Sequence, residues 1–242
     1  MYGWKARVGL IIPQDNAVIE PELYSLVNQL KGITFHSTRL LTEEMSEMPE
    51  NGIQMSSVFQ SLGTDVNVYA CAETAFLKGV DGNQYISNKI YEQTNKPAIT
   101  AMSAMVEAIQ FLNLKNITLV TPYTENRIAI ISGFFERMGI NVVRANDQNS
   151  KYYPIDPEHQ EKCNTQPYYT AYQMAREVDC NDSEAVIISA TNIRTFEIIN
   201  KLEEDLQKPV ITTNQAIVWA ILRQLGLKKN IPSLGKLLNT YH

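Results

Sequence analysis

Eight short runs of nearly continuous apolar residues punctuate the chain: Val8–Ile12, Ile33–Ser37, Val66–Ala70, Ala98–Ala101, Ile117–Thr121, Val142–Ala145, Ala185–Ser189 and Val210–Thr213. They are rich in Val, Ile and Leu and scarcely alternate with polar residues. That pattern predicts parallel strands covered on both faces. Between them the apolar period changes to that of a helix. Met102–Leu112 puts Met105, Ala108, Ile109 and Leu112 on one face, and Ala216–Leu225 does the same with Ala216, Trp219, Ala220 and Leu222. Asn126–Met138 is a third helical segment, closed by Gly139 as a left-handed cap. Strand–helix alternation with buried strands predicts doubly wound α/β sheets. Gln148–Asn164 is polar with two prolines and is expected to be an irregular loop, a flap over a site.

The pattern is written twice. Arg7–Pro13, Asp65–Cys71 and Lys96–Thr100 are answered by Asn116–Pro122, Glu184–Ala190 and Lys208–Thr212. The copies are offset by roughly 110 residues, the size of a small domain. We therefore expect two pseudo-symmetric lobes, flavodoxin-like in their winding. The first spans 1–112, the second 113–213, and a C-terminal helix over 214–242 is expected to pack on the first. Ligands of such sheets bind beyond the carboxyl ends of the strands. This selects the loops Pro13–Asn16, Cys71–Thr74, Pro122–Asn126 and Ala190–Arg194, facing one another across a cleft. Cys71 then has a pseudo-equivalent position, and it holds Ala190.

Composition narrows the chemistry. Apolar residues make up 44% and charged residues 19%, enough for a substantial core. A net charge of −5 without long Lys/Arg runs argues against nucleic acid or an anionic membrane surface as partner. No apolar run is long enough for a signal peptide or a membrane span. Three cysteines, Cys71, Cys163 and Cys180, cannot all pair and have no metal-ligand spacing, which suits a reducing, cytoplasmic setting. His36, His159 and His242 have no spacing for a metal, and no glycine-rich phosphate loop occurs. The expectation is an enzyme without metal or cofactor.

Within the loops, Cys71 closes a strand and opens a small polar segment leading into a helix. Backbone N–H groups there favour a thiolate nucleophile, which should alkylate before Cys163 and Cys180. The plain alternative is a buried structural cysteine. Asn16 reads first as a helix cap and second as an amide donor to a carboxylate. Tyr123 offers a phenol to a carboxylate or enolate oxygen, against the alternative of amphipathic cover. Thr191 and Asn192 form an anion cradle, cap a helix running from Arg194, or do both.

Taken together, Val8–Pro13 with Asn16 and Glu20–Glu22, Phe35–Arg39, Tyr69–Cys71, Thr121–Tyr123 and Ser189–Thr195 resemble a maleate cis–trans isomerase. That group belongs to the aspartate/glutamate racemase superfamily, with arylmalonate decarboxylase, hydantoin racemase and EutA-type ectoine-utilisation proteins. The resemblance covers nearly the whole chain. It implies that Cys71 is the nucleophile and that Asn16 and Tyr123 hold substrate carboxylates. It also implies that Ala72 and Glu73 after Cys71, and Thr191 with Asn192, are the two cradles. Asn164 is the nearest match to a further substrate-binding asparagine.

Two departures stand out. Ala190 occupies the position of the family's second cysteine, so the usual proton donor is absent. Glu73 stands where the family has a small or neutral residue, so either it turns away or the substrate carries a positive group. The expected function is cofactor-independent isomerisation of a small maleate-type dicarboxylate through a Cys71 adduct, with a homo-oligomer as the expected assembly. The alternatives are a decarboxylase or lyase of the arylmalonate decarboxylase or EutA type, and an inert carboxylate-binding form, natural or made by a Cys-to-Ala exchange.

Overall fold

A computed structural model of the chain describes residues 2–146 and 164–239. The expected flap, apart from Asn164, lies outside these residues, as do Cys163, His159 and His242. Two four-stranded sheets carry the architecture. β1 (Ala6–Ile12), β2 (Ile33–Arg39), β3 (Val66–Tyr69) and β4 (Ala98–Thr100) form the first in the order β2-β1-β3-β4. β5 (Asn116–Val120), β6 (Asn141–Ala145), β7 (Ala185–Ile188) and β8 (Val210–Thr212) repeat it as β6-β5-β7-β8. Every pairing is parallel. All eight strands fall on the apolar runs; the inner strands β1, β3, β5 and β7 are buried on both faces and so need apolar side chains at both parities, while the edge strands β2 and β6 are partly exposed.

The helices are α1 (Ile19–Ser25), α2 (Met48–Met55), α3 (Val58–Leu62), α4 (Ala72–Leu77), α5 (Gly79–Thr94) and α6 (Ala101–Phe111). They continue with α7 (Glu125–Arg137), α8 (Tyr168–Val178), α9 (Ile199–Leu206), α10 (Thr213–Gln224) and α11 (Gly235–Asn239). The duplication extends to detail. Each Lys-Pro strand hands over to its helix through a capping box, Thr100 with Ser103 in one lobe and Thr212 with Gln215 in the other. The two helices so begun, α6 and α10, pack on each other, with the Phe111 and Trp219 rings 5.3 Å apart. One apolar core runs from β1 through α6 and α10 into β5 and β7.

The C-terminal segment is not one helix over 214–242. α10 stops at Gln224 because Gly226 takes the left-handed conformation (φ +65°), and a separate turn at Pro232–Leu234 precedes α11. No helix runs on from Arg194 either. The chain turns irregularly until α9 begins at Ile199, so Thr191 and Asn192 cap nothing.

Candidate active site

The loops after β1, β3, β5 and β7 converge on a cavity of about 620 Å³ between the lobes. Its wall includes Pro13, Gln14 and Asp15 from the first loop and Cys71, Ala72 and Glu73 from the second. Pro122 and Tyr123 come from the third, and Ala190, Thr191 and Asn192 from the fourth. Cys71 and Ala190 thus share one cavity, as the duplication requires. Asn164 and Arg127 complete the polar wall, and Glu43, Met45 and Met48 add to it from the segment leading into α2.

Cys71 has extended dihedrals (φ −119°, ψ 103°) at the residue immediately before α4, where the first helical N–H groups have no intrahelical acceptor. It is only 5% exposed. Burial pushes its pKa above that of an ordinary thiol. The N–H and hydroxyl of Thr74 and the Tyr69 hydroxyl pull the other way, and the Asp15 carboxylate adds to the rise. The resting group is therefore a thiol. Burial thus opposes the thiolate expected from the loop N–H groups, and Cys71 is the more deeply buried of Cys71 and Cys180; Cys163 lies outside the described residues. The local N–H effect read from sequence is present, but desolvation outweighs it.

Tyr69 and Thr74 went unread. Their hydroxyls are 2.6 Å apart, and both act to lower the pKa of the Cys71 thiol. Tyr69 lies two residues before Cys71, hence on the same side of an extended segment, which is the signal that could have found it. Burial raises the Tyr69 phenol strongly, so it acts as a donor and not as a base.

Asn16 does not reach the cavity wall. Its Oδ1 accepts from the backbone N–H of Val18 (3.0 Å) and Ile19 (3.1 Å) at the start of α1, and its Nδ2 donates to Thr191 Oγ1 (3.0 Å). Asn16 is not itself the cap read from sequence, since Val18 holds the N-cap position of α1, but it pairs the N–H groups there, and the same amide ties the lobes together. Asn192 does likewise: its Nδ2 donates to Asp15 Oδ2 (3.1 Å), and its Oδ1 accepts from Ala17 N (3.3 Å). Asn164 donates to the Asp15 carbonyl (2.7 Å). Arg39, at the end of β2, holds the first loop from below by donating to the carbonyls of Pro13, Gln14 and Asn16 and to Glu20. Tyr123 is nearly buried, its ring edge-on to Phe76 at 5.3 Å.

Glu73 neither turns away nor waits for a cation from the substrate. It forms an ion pair with Arg127, on the first turn of α7, with both side chains largely buried. Sequence reading missed Arg127 because it lies inside a segment read only for its apolar face. Among the described residues no His/Cys/Asp/Glu group is arranged to hold a metal ion, and no helix is long and apolar enough to cross a membrane.

The family model for arylmalonate decarboxylase matches residues 8–238. The chain belongs to the arylmalonate decarboxylase family. Within reach of this family it is 25% identical to a maleate isomerase of Geobacillus stearothermophilus, over 96% of this chain and 97% of the relative. To a maleate isomerase of Pseudomonas putida it is again 25% identical, with 96% and 97% covered. The fold matches the crystal structure of maleate isomerase Iso from Pseudomonas putida S16 with a TM-score of 0.87 at 23% identity, covering 98% of this chain and 99% of that one. It matches arylmalonate decarboxylase itself with a TM-score of 0.81 at 17% identity, covering 96% and 99%. A third neighbour is a Nocardia farcinica maleate cis–trans isomerase, in a variant with one cysteine exchanged for serine and a covalently bound succinylcysteine intermediate. Its TM-score is 0.87 at 21% identity, covering 97% and 98%. The family membership and the two-lobed α/β fold read from the loop motifs are thereby borne out.

Proposed function

We propose that this protein isomerises a cis-dicarboxylate of the maleate type, without a cofactor, through a covalent adduct on Cys71. The observation that carries the reading is the thiol at the floor of the inter-lobe cavity, facing an alanine across it, with donors from both lobes around them. Two full-length relatives named maleate isomerase and a related structure holding succinylcysteine support the choice of substrate.

The chemistry follows from the groups present. The Cys71 thiol gives up its proton to water, and the thiolate adds to one alkene carbon. The π pair moves to the neighbouring carbon and into its carboxylate, leaving a C–C single bond that rotates. The pair then returns, the C–S bond breaks and the trans isomer leaves. Tyr123, Thr191, Asn192 and the N–H groups after Cys71 stabilise the carboxylate as its charge grows. With Ala190 opposite, no side-chain acid stands ready to protonate the carbanion, so the adduct collapses without that step. Arg127, offset by Glu73, keeps the wall beside the substrate from being net negative at that point.

Incubation with maleate, followed by proton NMR for fumarate and by peptide mass spectrometry for a one-maleate adduct on Cys71, tests this. A parent protein with neither product nor adduct would end the reading. A second reading is decarboxylation of a substituted malonate, favoured by the family model and by a cavity with room, between Met45, Met48 and Pro122, for an apolar substituent. Release of carbon dioxide from an aryl- or alkylmalonate would select it.

A further inference from the structure

Glu22 sends a buried carboxylate from α1 of the first lobe into the second, and no step above uses it. Its Oε1 accepts from Thr195 N (2.5 Å), Phe196 N (3.0 Å) and Thr195 Oγ1 (3.3 Å), and its Oε2 accepts from Asn214 Nδ2 (2.7 Å). The same Asn214 Nδ2 donates to the Thr191 carbonyl (3.0 Å). Asn214 is 1% exposed, and its Oδ1 has no hydrogen-bond partner. The amide is therefore oriented by two acceptors, Glu22 and the Thr191 carbonyl. Turned over, it would set an oxygen against both. Only an ionised Glu22 enforces this, since a protonated carboxyl could donate to Asn214 Oδ1 instead.

We propose that Glu22 is a positioning residue: its ionised carboxylate locks the Asn214 amide in the orientation that ties down the Thr191 carbonyl, and protonation frees the amide to turn over and release that tie. Thr191 lines the cavity, so the lock sets the cradle opposite Cys71. This inference rests on the reading of that cradle as substrate-binding. Every group bonded to Glu22 is a donor, as an anion requires. Burial nevertheless raises its pKa to about 7, so both forms are accessible near neutrality. The other charged groups facing it are Glu197, which adds to the rise, and Arg194; both stand on the Thr191–Ile198 turn and pair with each other. α10 contributes only the neutral Asn214. A hollow lined by Glu22, Arg194, Phe196 and Glu197 gives protons a path from solvent.

Glu22→Gln mimics the protonated form. Its amide oxygen keeps the Thr195 and Phe196 N–H groups, and its Nε2 meets Asn214 Oδ1 once that amide turns over, so of the groups around Glu22 only the Thr191 carbonyl loses its donor. On maleate, kcat/KM of this variant is expected to fall about tenfold at pH 8. The parent's rise in kcat/KM across pH 7 should vanish in it, while the later rise from Cys71 ionisation remains in both proteins. Should Glu22→Gln fail to fold, Glu22→Asp keeps the charge, and its rise near neutrality must survive. A folded Glu22→Gln within twofold of the parent and with the same pH profile overturns the proposal. The side-chain amide resonance of Asn214, assigned by its loss in Asn214→Asp, reads the lock without substrate. It should titrate with a midpoint near neutrality in the parent and stay fixed in Glu22→Gln, and an amide that does not titrate in the parent overturns the lock. If the parent neither turns over maleate nor forms the Cys71 adduct, the proposed function fails, and the resonance alone decides whether Glu22 sets the loop.

Discussion

After β3 and after β7 the chain arrives at the same pseudo-symmetric place and does different things there. In the first lobe the strand delivers Cys71 directly onto a helix, so the thiol sits among Thr74, Tyr69 and the first helical N–H groups. In the second lobe Ala190 is followed by an eight-residue turn whose polar groups are held by the first lobe: Thr191 by Asn16, Asn192 by Asp15 and Ala17, Thr195 and Phe196 by Glu22. One copy of the loop carries a thiol on a rigid mount. The other carries alanine at the matching position and a polar surface whose placement depends on its partner lobe. The two-fold repeat forms the cleft, and its asymmetry separates the thiol on one side from polar groups on the other.

The largest break in that division is removal of the nucleophile. Cys71→Ser should abolish both adduct and turnover while leaving the fold intact, since the hydroxyl is close in size to the thiol it replaces. Turnover persisting above background by NMR would mean that the thiol is a buried structural group. The complementary change restores symmetry. Ala190→Cys places an acid opposite the adduct, and general acid–base help is worth roughly 10²–10⁴-fold where proton transfer limits the rate. A variant no faster on maleate would show that collapse of the unprotonated adduct already outruns protonation.

The same contrast explains what was legible in the chain. The inner strands β1, β3, β5 and β7 could be read because each is a nearly continuous buried apolar run, and the edge strands β2 and β6, partly exposed, were legible only through shorter apolar stretches; the site loops followed from where parallel strands end. α2, α3, α5 and α8 were not read. α2 begins Met48-Pro49 and contains Gly52, and α5 carries Gly79 and Gly82, so neither advertises helix by propensity. Phe35–Arg39 was read as a motif without a reason, which Arg39 now supplies by holding the Pro13–Asn16 loop. Asn16 was rightly placed at the start of α1, whose N-cap is Val18, but its bond to Thr191 depends on an inter-lobe register that no local pattern encodes. Arg127 and Thr74 were invisible for the same reason, since their roles arise from contacts between elements. Around Cys71 the sequence displays the nearby N–H groups and hides the depth of burial, which is what raises the thiol's pKa.

Stability and positioning should part company at Glu22. An acid whose folded pKa is raised from the ordinary 4.5 to about 7 contributes stability that is present below pH 4.5 and lost as pH rises through 7. The ionised carboxylate is thus held at a net cost in the folded protein, on the order of 3 kcal/mol at pH 8 relative to pH 4. Urea denaturation of the parent should show that decline, and Glu22→Gln, which cannot ionise, should lack it. Parallel stability–pH curves for the two proteins would mean that Glu22 ionises in the ordinary range and that its donors fully offset its burial.

A smaller effect is expected at Glu73, in the first lobe's part of the cavity wall. Its ion pair with Arg127 lies in the cavity wall, and both side chains are largely removed from water, so the charge on Glu73 is only partly screened. Glu73→Gln keeps an oxygen to accept from Arg127 and so preserves the guanidinium's orientation, but removes one negative charge beside the dianion. At the effective dielectric of a partly buried site this amounts to about 1–2 kcal/mol, so KM for maleate should fall about tenfold with kcat little changed. The fall should shrink as ionic strength rises. An unchanged KM would place the substrate's carboxylates away from Arg127. A raised KM would mean that Arg127 needs a full countercharge to stay in position, making Glu73 a support for substrate binding instead of an obstacle to it.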